Sequence, residues 1–459
     1  MSSIPTAVAW LPWDASAFAL ARAERKTVLL SIMAPWSLGC GEMDRVTYGD
    51  AATAAAIRSS CVAIRVDADQ RPDLADRYDF GALPTTAFLS SDGILLGGGT
   101  FVAPERLREA LAHLAGCRPD LQPSSASGEA VGECLDDAEL TATVFDAFDE
   151  DHAGFGGPPR FPHTAPVRLA LDLYVETGDA IMLEQAARTL DSMGWGALYD
   201  EEAGGFFRCA AERDWSGAAA EKILPVNAAL LDLYIYAGTV TSNERWFARA
   251  VDLVGFIERK LIAANGAWRY TECAEPGRQF TDANAVTASA LLHAARVFDD
   301  EALGKRAIVG LERVLLSSYK PGDGVAHSAA GVRGLLTDHV TMATATLDAW
   351  DSTGNIVYRM MAEELMHFAI RTMWDEDGGG FFDRVDEAGT GEDLPRLRAL
   401  KPFVLNCEAA VVLRRLAEAV NDPMFDKRAG ETLAAARGRA AAHGPLAAHY
   451  LLARRALLR

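Results

Sequence analysis

A nine-residue word at 200–208, Asp-Glu-Glu-Ala-Gly-Gly-Phe-Phe-Arg, returns at 375–383 as Asp-Glu-Asp-Gly-Gly-Gly-Phe-Phe-Asp. Each copy follows an apolar helical run and precedes a Lys-x-x-x-x-Asn segment, Lys222 with Asn227 and Lys401 with Asn406, that opens another. Weaker forms stand at 151–157, 265–270 and 323–327. A word that recurs between helices implies a repeated unit of helix, acidic glycine-rich turn, short loop and helix, which stacks or closes into an array.

Helical periodicity supports that unit. Runs at 164–177, 223–238, 282–298, 338–351, 402–419 and 445–457 are apolar nearly all round, as buried helices are. Runs at 136–149, 180–198, 243–263, 300–317, 355–373 and 423–440 are amphipathic with charged faces. Six inner and six outer helices predict concentric rings, an all-α (α/α)6 toroid over 134–459. The stretch 119–133, rich in Pro, Ser and Gly, reads as a linker.

Residues 1–118 read differently. A helix over 14–26 leads to a buried strand at 27–33, then a turn and helix, a second strand at 61–67, a third near 81–89, a hairpin at Asp92-Gly93, a fourth strand, and a closing helix at 104–114. This α/β order resembles the thioredoxin fold, and in particular the DUF255 family of thioredoxin-like domains. The matching residues are Trp13 through Lys26, Val66-Asp67 with Arg71-Pro72-Asp73, and Phe88-Leu89 with Asp92-Gly93 and Gly98-Gly99-Thr100. The family carries a Cys-His-Trp-Cys-His-type motif where this chain has Ser37-Leu38-Gly39-Cys40-Gly41. The attacking position is thus Ser37, which cannot exchange disulfides. Cys40, one turn into the helix, is expected to be a buried small side chain, with monothiol chemistry as its alternative. Pro84 is the residue expected to carry the cis peptide beside that motif.

The helical part resembles the six-hairpin toroids of glycosidase-like and sugar-epimerase-like proteins, which also follow the thioredoxin-like part in the same family. Residues 155–163, Phe-Gly-Gly-Pro-Pro-Arg-Phe-Pro-His, match its Gly-Gly-Phe-Gly and Pro-Lys-Phe-Pro words. Glu221, Lys222 and Asn227 match part of a His-Phe-Glu-Lys-Met-Leu-Tyr-Asp-Asn word, with Ala219, Ala220, Pro225 and Val226 as departures.

In such a toroid the loops before the inner helices gather at one rim, where helix N-termini favour polar and anionic groups. The rim candidates for acid–base work are Glu221, Asp282, Asp338, Glu408 and His163, since glycoside hydrolysis needs two carboxylates and epimerisation needs bases about a carbon acid. Candidates for binding substrate are Arg160, Arg208, Trp215, Lys222, Asn227, His339, Lys401 and Asn406, with Phe206, Phe207, Trp268, Tyr270, Phe381 and Phe382 as flat faces for a sugar ring. Each has a duller account: Asp282 and Asp338 as helix caps, the repeated words as turn chemistry, the aromatics as core.

The formal charge of −20 and the lack of any basic stripe exclude a nucleic-acid partner. No signal-like start and no membrane-spanning run is read, and seven scattered cysteines without Cys-x-x-Cys spacing suit a reducing cytoplasm better than a disulfide framework or a thiolate metal cage. No metal site and no cofactor is read from the sequence. Three functional readings stand: a carbohydrate-binding or carbohydrate-processing toroid with a redox-inactive accessory domain; a non-catalytic interaction protein, with a protein partner docking on the thioredoxin-like domain; and a monothiol redox protein using Cys40.

Overall fold

The computed structural model describes residues 8–116, 135–272, 278–385 and 400–458. These fall into two compact units, one built from 8–116 and one from 135–272, 278–385 and 401–458. The expected linker at 119–133 lies outside the described residues.

The first unit is a four-stranded sheet in the order β2-β1-β3-β4, from β1 (Thr27–Met33), β2 (Cys61–Asp67), β3 (Thr85–Leu89) and β4 (Leu95–Gly99). β1 runs parallel to β2 and antiparallel to β3, which pairs antiparallel with β4. β1 and its parallel neighbour β2 are largely buried on both faces, as their unbroken Val-Leu-Leu and Val-Ala-Ile runs require. Helices α1 (Ala15–Glu24), α2 (Leu38–Met43), α3 (Ala51–Ser60), α4 (Pro72–Arg77) and α5 (Pro104–Gly116) complete the unit. Caps fix their starts: the Asp14 and Asp50 carboxylates accept from Ala17 and Thr53 N–H.

The second unit is helical. Its inner helices are α7 (Thr164–Thr177), α9 (Leu224–Thr241), α11 (Thr281–Phe298), α13 (Leu336–Thr353), α15 (Phe403–Val420) and α17 (Ala448–Leu458). Each packs on the next, and α17 packs back on α7, so the ring closes. The outer helices are α6 (Asp137–Asp146), α8 (Ala180–Gly194), α10 (Glu244–Phe256), α12 (Glu301–Ser318), α14 (Ile356–Met373) and α16 (Pro423–Arg437). Inner-to-outer connections are single tight turns, with Gly178, Ser242, Asp299, Gly354 and Asn421 in the left-handed region at the helix ends. Outer-to-inner connections are longer and carry the repeated words.

Those words form hairpins. Tyr199 pairs with Phe206, Trp374 with Phe381, Ile262 with Trp268 and Phe148 with Phe155. The last glycine of each strong copy, Gly205 and Gly380, has positive φ and turns the chain where a side chain has no room. A Cβ on Gly205 would meet the Phe256 ring at 2.6 Å. The fourth residue of the following helix then clamps the hairpin. Phe206 N–H donates to Asn227 Oδ1 at 2.7 Å, while Asn227 Nδ2 donates to Phe206 O and Ile223 O, both at 3.0 Å. Asn406 does the same to Phe381 at 2.7 and 3.0 Å, and Asn284 to Trp268 at 2.8 and 3.0 Å. In α13 the position belongs to His339, whose Nε2 accepts from Val325 N–H at 3.3 Å and whose Nδ1 donates to Leu335 O at 2.7 Å. Four repeats thus share one device, with an imidazole replacing the amide in one of them.

Candidate functional site

The clamp fixes the register of each inner helix. At about 100° per residue, a position two beyond the clamp lies on roughly the opposite side of the helix, toward the ring axis. Those positions are Ala229, Val286, Thr341 and Glu408, and all four line a cavity of about 410 Å³ that every inner helix borders. Three of the four cannot ionise. Glu408 is the exception at its level.

The Glu408 side chain keeps 42% exposure, yet it opens onto this cavity and protein surrounds the carboxyl on all sides. Burial among Ala, Val and Leu therefore pushes it up to about 7. His449, one residue into α17, stands 3.8 Å away through Nδ1. Burial depresses the His449 imidazole to about 4, and neighbouring His163 opposes a second positive charge there. His163, at the N-terminus of α7, is itself lowered by burial. The three make an acid–base cluster where α7, α15 and α17 meet.

Deeper in the cavity the groups are charged. Burial raises the cost of ionising Asp232 on α9, but His293 Nδ1 at 2.6 Å and the Arg168 and Arg296 charges outweigh it, so its carboxyl is lowered. Arg168 lies 3.6 Å from both Asp172 and Asp232 and stacks on Tyr236 at 3.3 Å. Across the ring Arg415 bonds Asp348 and Asp351, each at 2.8 Å. Cys407, beside Glu408, also lines the wall, its thiol raised far by burial.

The other residues singled out in the sequence have internal partners. Lys222 Nζ donates to Asp200 and to Gly204 O, both at 2.7 Å, and Lys401 Nζ to Asp375 at 2.5 Å and Gly379 O at 2.6 Å. These pairs tie the repeated turns and help hold Asp200 and Asp375 below the usual carboxylate range. Asn227, Asn406 and His339 are the clamps; burial drops His339 to about 4. Arg160 is buried and bonds Asp149 at 2.6 Å, Ala153 O at 2.7 Å and Gly156 O at 3.1 Å, and Trp215 Nε1 donates to Ala153 O at 3.1 Å. Arg208 lies over the Phe161 ring, and half-buried Glu221 does not line the cavity. Of the expected flat faces, Phe206, Trp268 and Phe381 are fully buried in hairpins, so they offer no platform.

Asp282 and Asp338 stand in the first turns of α11 and α13, beside His327 of the loop before α13. Asp338 is fully buried, which raises it to about 6 against the opposing pull of His327 at 2.9 Å. Asp282 accepts from Ala283 N–H within its own first turn, yet neither aspartate is a helix cap: Phe280 and Leu335 stand at the cap positions of α11 and α13, without a side-chain cap bond.

In the first unit, Ser37 caps α2 and accepts from Cys40 N–H at 3.4 Å. Cys40 is buried, burial raises its thiol, and Ala34 N–H donates to its sulfur at 3.5 Å. The Leu83–Pro84 peptide is cis, and Pro84 lies against Gly39. A buried thiol with a raised pKa is the reverse of an attacking thiolate.

Residues 2–116 match the model of the family described as a protein of unknown function, DUF255. The match spans the whole described N-terminal unit. Beyond the DUF255 match, the chain is 26% identical over 264 residues to an uncharacterised Caenorhabditis elegans protein, covering 49% of this chain and 35% of that one. It is 23% identical over 314 residues to human spermatogenesis-associated protein 20, covering 58% of this chain and 39% of the relative. The matched stretches thus span little more than a third of these relatives. Among solved structures, a cellobiose 2-epimerase from Bacillus thermoamylovorans aligns at TM-score 0.55 and 14% identity, over 64% of this chain and 85% of its own. A D-mannose isomerase gives 0.54 and 14%, over 65% and 84%. A GH76 α-mannanase from Bacteroides thetaiotaomicron gives 0.53 and 10%, over 70% and 94%. At such identities the likeness concerns the fold, the (α/α)6 toroid.

Sequence reasoning passed over Asp232, His293, His327, Asp348, Arg415 and His449. A signal was present for Asp232: it is a lone charge inside the run Ala-Ala-Leu-Leu-Asp-Leu-Tyr of a helix otherwise apolar all round. A charge there is retained only with a partner or a cavity.

Proposed function

We propose that the toroid takes a carbohydrate-like small molecule into the cavity between its inner helices and processes it by proton transfer, with Glu408 as the group that holds and delivers the proton. The observation that carries this reading is the cavity-facing Glu408 carboxyl, pushed up to about 7 at the one axial position where the neighbouring repeats carry Ala, Val and Thr. A group titrating near neutrality serves as acid and base alike. Asp232 on another wall is tuned oppositely and stays ionised, so the cavity holds one carboxyl that exchanges its proton near neutrality and one that keeps its charge. His449 and His163, neutral at pH 7, can accept hydrogen bonds from hydroxyls. The fold neighbours named above, an epimerase, an isomerase and a mannanase, support a sugar as the ligand class. The DUF255 domain acts as an accessory without dithiol exchange. Cys40, Cys61, Cys209 and Cys407 are free and buried, which suits a reducing cytoplasm.

One observation favours a second reading. The cavity wall is largely aliphatic and includes no Phe, Tyr or Trp ring among the described residues, so a sugar would lack a broad stacking face. In that case the toroid holds a ligand without chemistry.

Incubation with a panel of aldoses, ketoses and disaccharides, followed by NMR, separates the two. The first reading expects conversion that rises or falls through an inflection near pH 7 and drops at least about 100-fold in Glu408→Gln. Ligand-induced stabilisation without conversion supports the second. Conversion unchanged in Glu408→Gln contradicts the role of that residue.

A further inference from the structure

Away from the cavity cluster around Glu408, a second group of ionisable side chains, two of them buried, lies at the helix starts beside the loop before α13. Asp282, His327 and Asp338 each offer a donor atom, and the three atoms lie within 4.8 Å of one another, the one such grouping among the described residues. Asp338 is fully buried and His327 nearly so. One Asp338 oxygen faces His327 Nδ1 at 2.9 Å, while the other, Oδ2, is buried and has no hydrogen-bond partner. A carboxylate oxygen shut away from water without a donor is costly, and the ways to relieve it are a proton or a cation.

The surroundings favour a cation. The His327 ring is stacked on Phe280 at 5.0 Å, and Thr281 fixes the adjoining backbone through His327 O at 2.8 Å and Ala326 O at 2.6 Å. The imidazole is thereby held toward the carboxylates by contacts from α11 as well as from its own loop. His327 Nδ1 stands 2.9 Å from Asp338 Oδ1 and 3.9 Å from Asp282 Oδ1. A tetrahedral ion with bonds of about 2.0–2.1 Å sets its donors about 3.3 Å apart, between those two values. Asp282 keeps 26% side-chain exposure and gives the ion and its water a way in. We infer that Asp282, His327 and Asp338 bind a divalent transition-metal cation, with water completing the shell. One imidazole nitrogen with two carboxylates at tetrahedral spacing suits Zn²⁺ rather than Mg²⁺ or Ca²⁺, which take mostly oxygen donors in larger shells. Binding places the ion on Nδ1 and releases any proton that Nδ1 carries to solvent.

The test is titration of chelator-stripped full-length protein with ZnCl₂, read by calorimetry and thermal melting, with MgCl₂ alongside. One Zn²⁺ per chain is expected, with Tm raised by roughly 5 °C at about 100-fold over Kd. Asp282→Asn, at the half-exposed ligand, should weaken Zn²⁺ at least tenfold while leaving the Tm of the ion-free protein unmoved; His327→Gln should remove the ion-dependent shift. No saturable Zn²⁺ binding overturns the site, as does wild-type binding in both variants, which would put the ion elsewhere. Mg²⁺ matching Zn²⁺ overturns the assigned class of ion.

Discussion

The rim hairpins and the ring cavity are made from the same helices, yet they use their polar residues in opposite ways. At the rim, polar residues repeat: Asn227, Asn284 and Asn406 clamp three hairpins with the same bonds, and Lys222 and Lys401 tie two turns in the same manner. In the cavity, the residue at a given level differs from repeat to repeat. Glu408 stands where its counterparts are Ala229, Val286 and Thr341, and Asp232 stands level with Ser289, Thr344 and Val411. A bond that every repeat makes serves the repeat. A charge that a single repeat carries, at a cost in desolvation, serves something the fold does not need.

Substitutions can break this contrast. The largest effect is expected from Asn227→Ala, which strands the backbone of Phe206 by removing three hydrogen bonds. It should cost about 3 kcal/mol in denaturant unfolding of the toroid. A loss under about 1 kcal/mol would show that the clamp is dispensable. Next come the lysines. Lys222 is buried more deeply than Lys401 while their partner carboxylates are about equally exposed, so the Lys222 bonds are the better shielded from water. Lys222→Met should therefore cost about 2 kcal/mol, and Lys401→Met about half that. The reverse order would contradict the burial argument.

Glu408→Gln should act in the other direction and by less. The folded-state pKa is raised above its ordinary value of 4.5, so the wild-type carboxyl stabilises the fold while protonated, and that contribution is lost as pH rises from about 4.5 through about 7. The variant should therefore match wild type near pH 4 and melt higher above pH 7. A variant less stable at pH 8 would mean that the ionised carboxylate has a stabilising partner. Smallest of all is the response of Cys40: native protein should leave it unlabelled by a thiol reagent, since the sulfur is buried and its thiol pKa raised. Rapid labelling would reopen the monothiol reading.

Much of the architecture is legible in the chain. The inner helix read at 164–177 is observed as Thr164–Thr177, and the one read at 402–419 as Phe403–Val420, because apolar runs bounded by glycine and acidic turns leave little freedom over where helices start and stop. The repeated words likewise mark hairpins. What the pattern hides is direction. An inner helix is apolar toward the outer ring and toward the axis, so periodicity cannot separate core from cavity, and Glu408 looks no different from its rim neighbours Lys401 and Asn406. The missing step is the clamp: once Asn406 is known to face its hairpin, Glu408, two residues on, must face the axis. The aromatic pairs mislead for the same reason, since Phe206 and Phe381 follow glycines in polar words yet lie fully buried under the clamp.

The most direct test of the contrast is a thermal-shift titration with sugars on wild type, Glu408→Gln and Lys401→Met in parallel. Lys401→Met should melt lower but keep the ligand-induced shift, whereas Glu408→Gln should keep its fold and lose the shift. A shift lost in Lys401→Met and retained in Glu408→Gln would place binding at the rim and contradict the account.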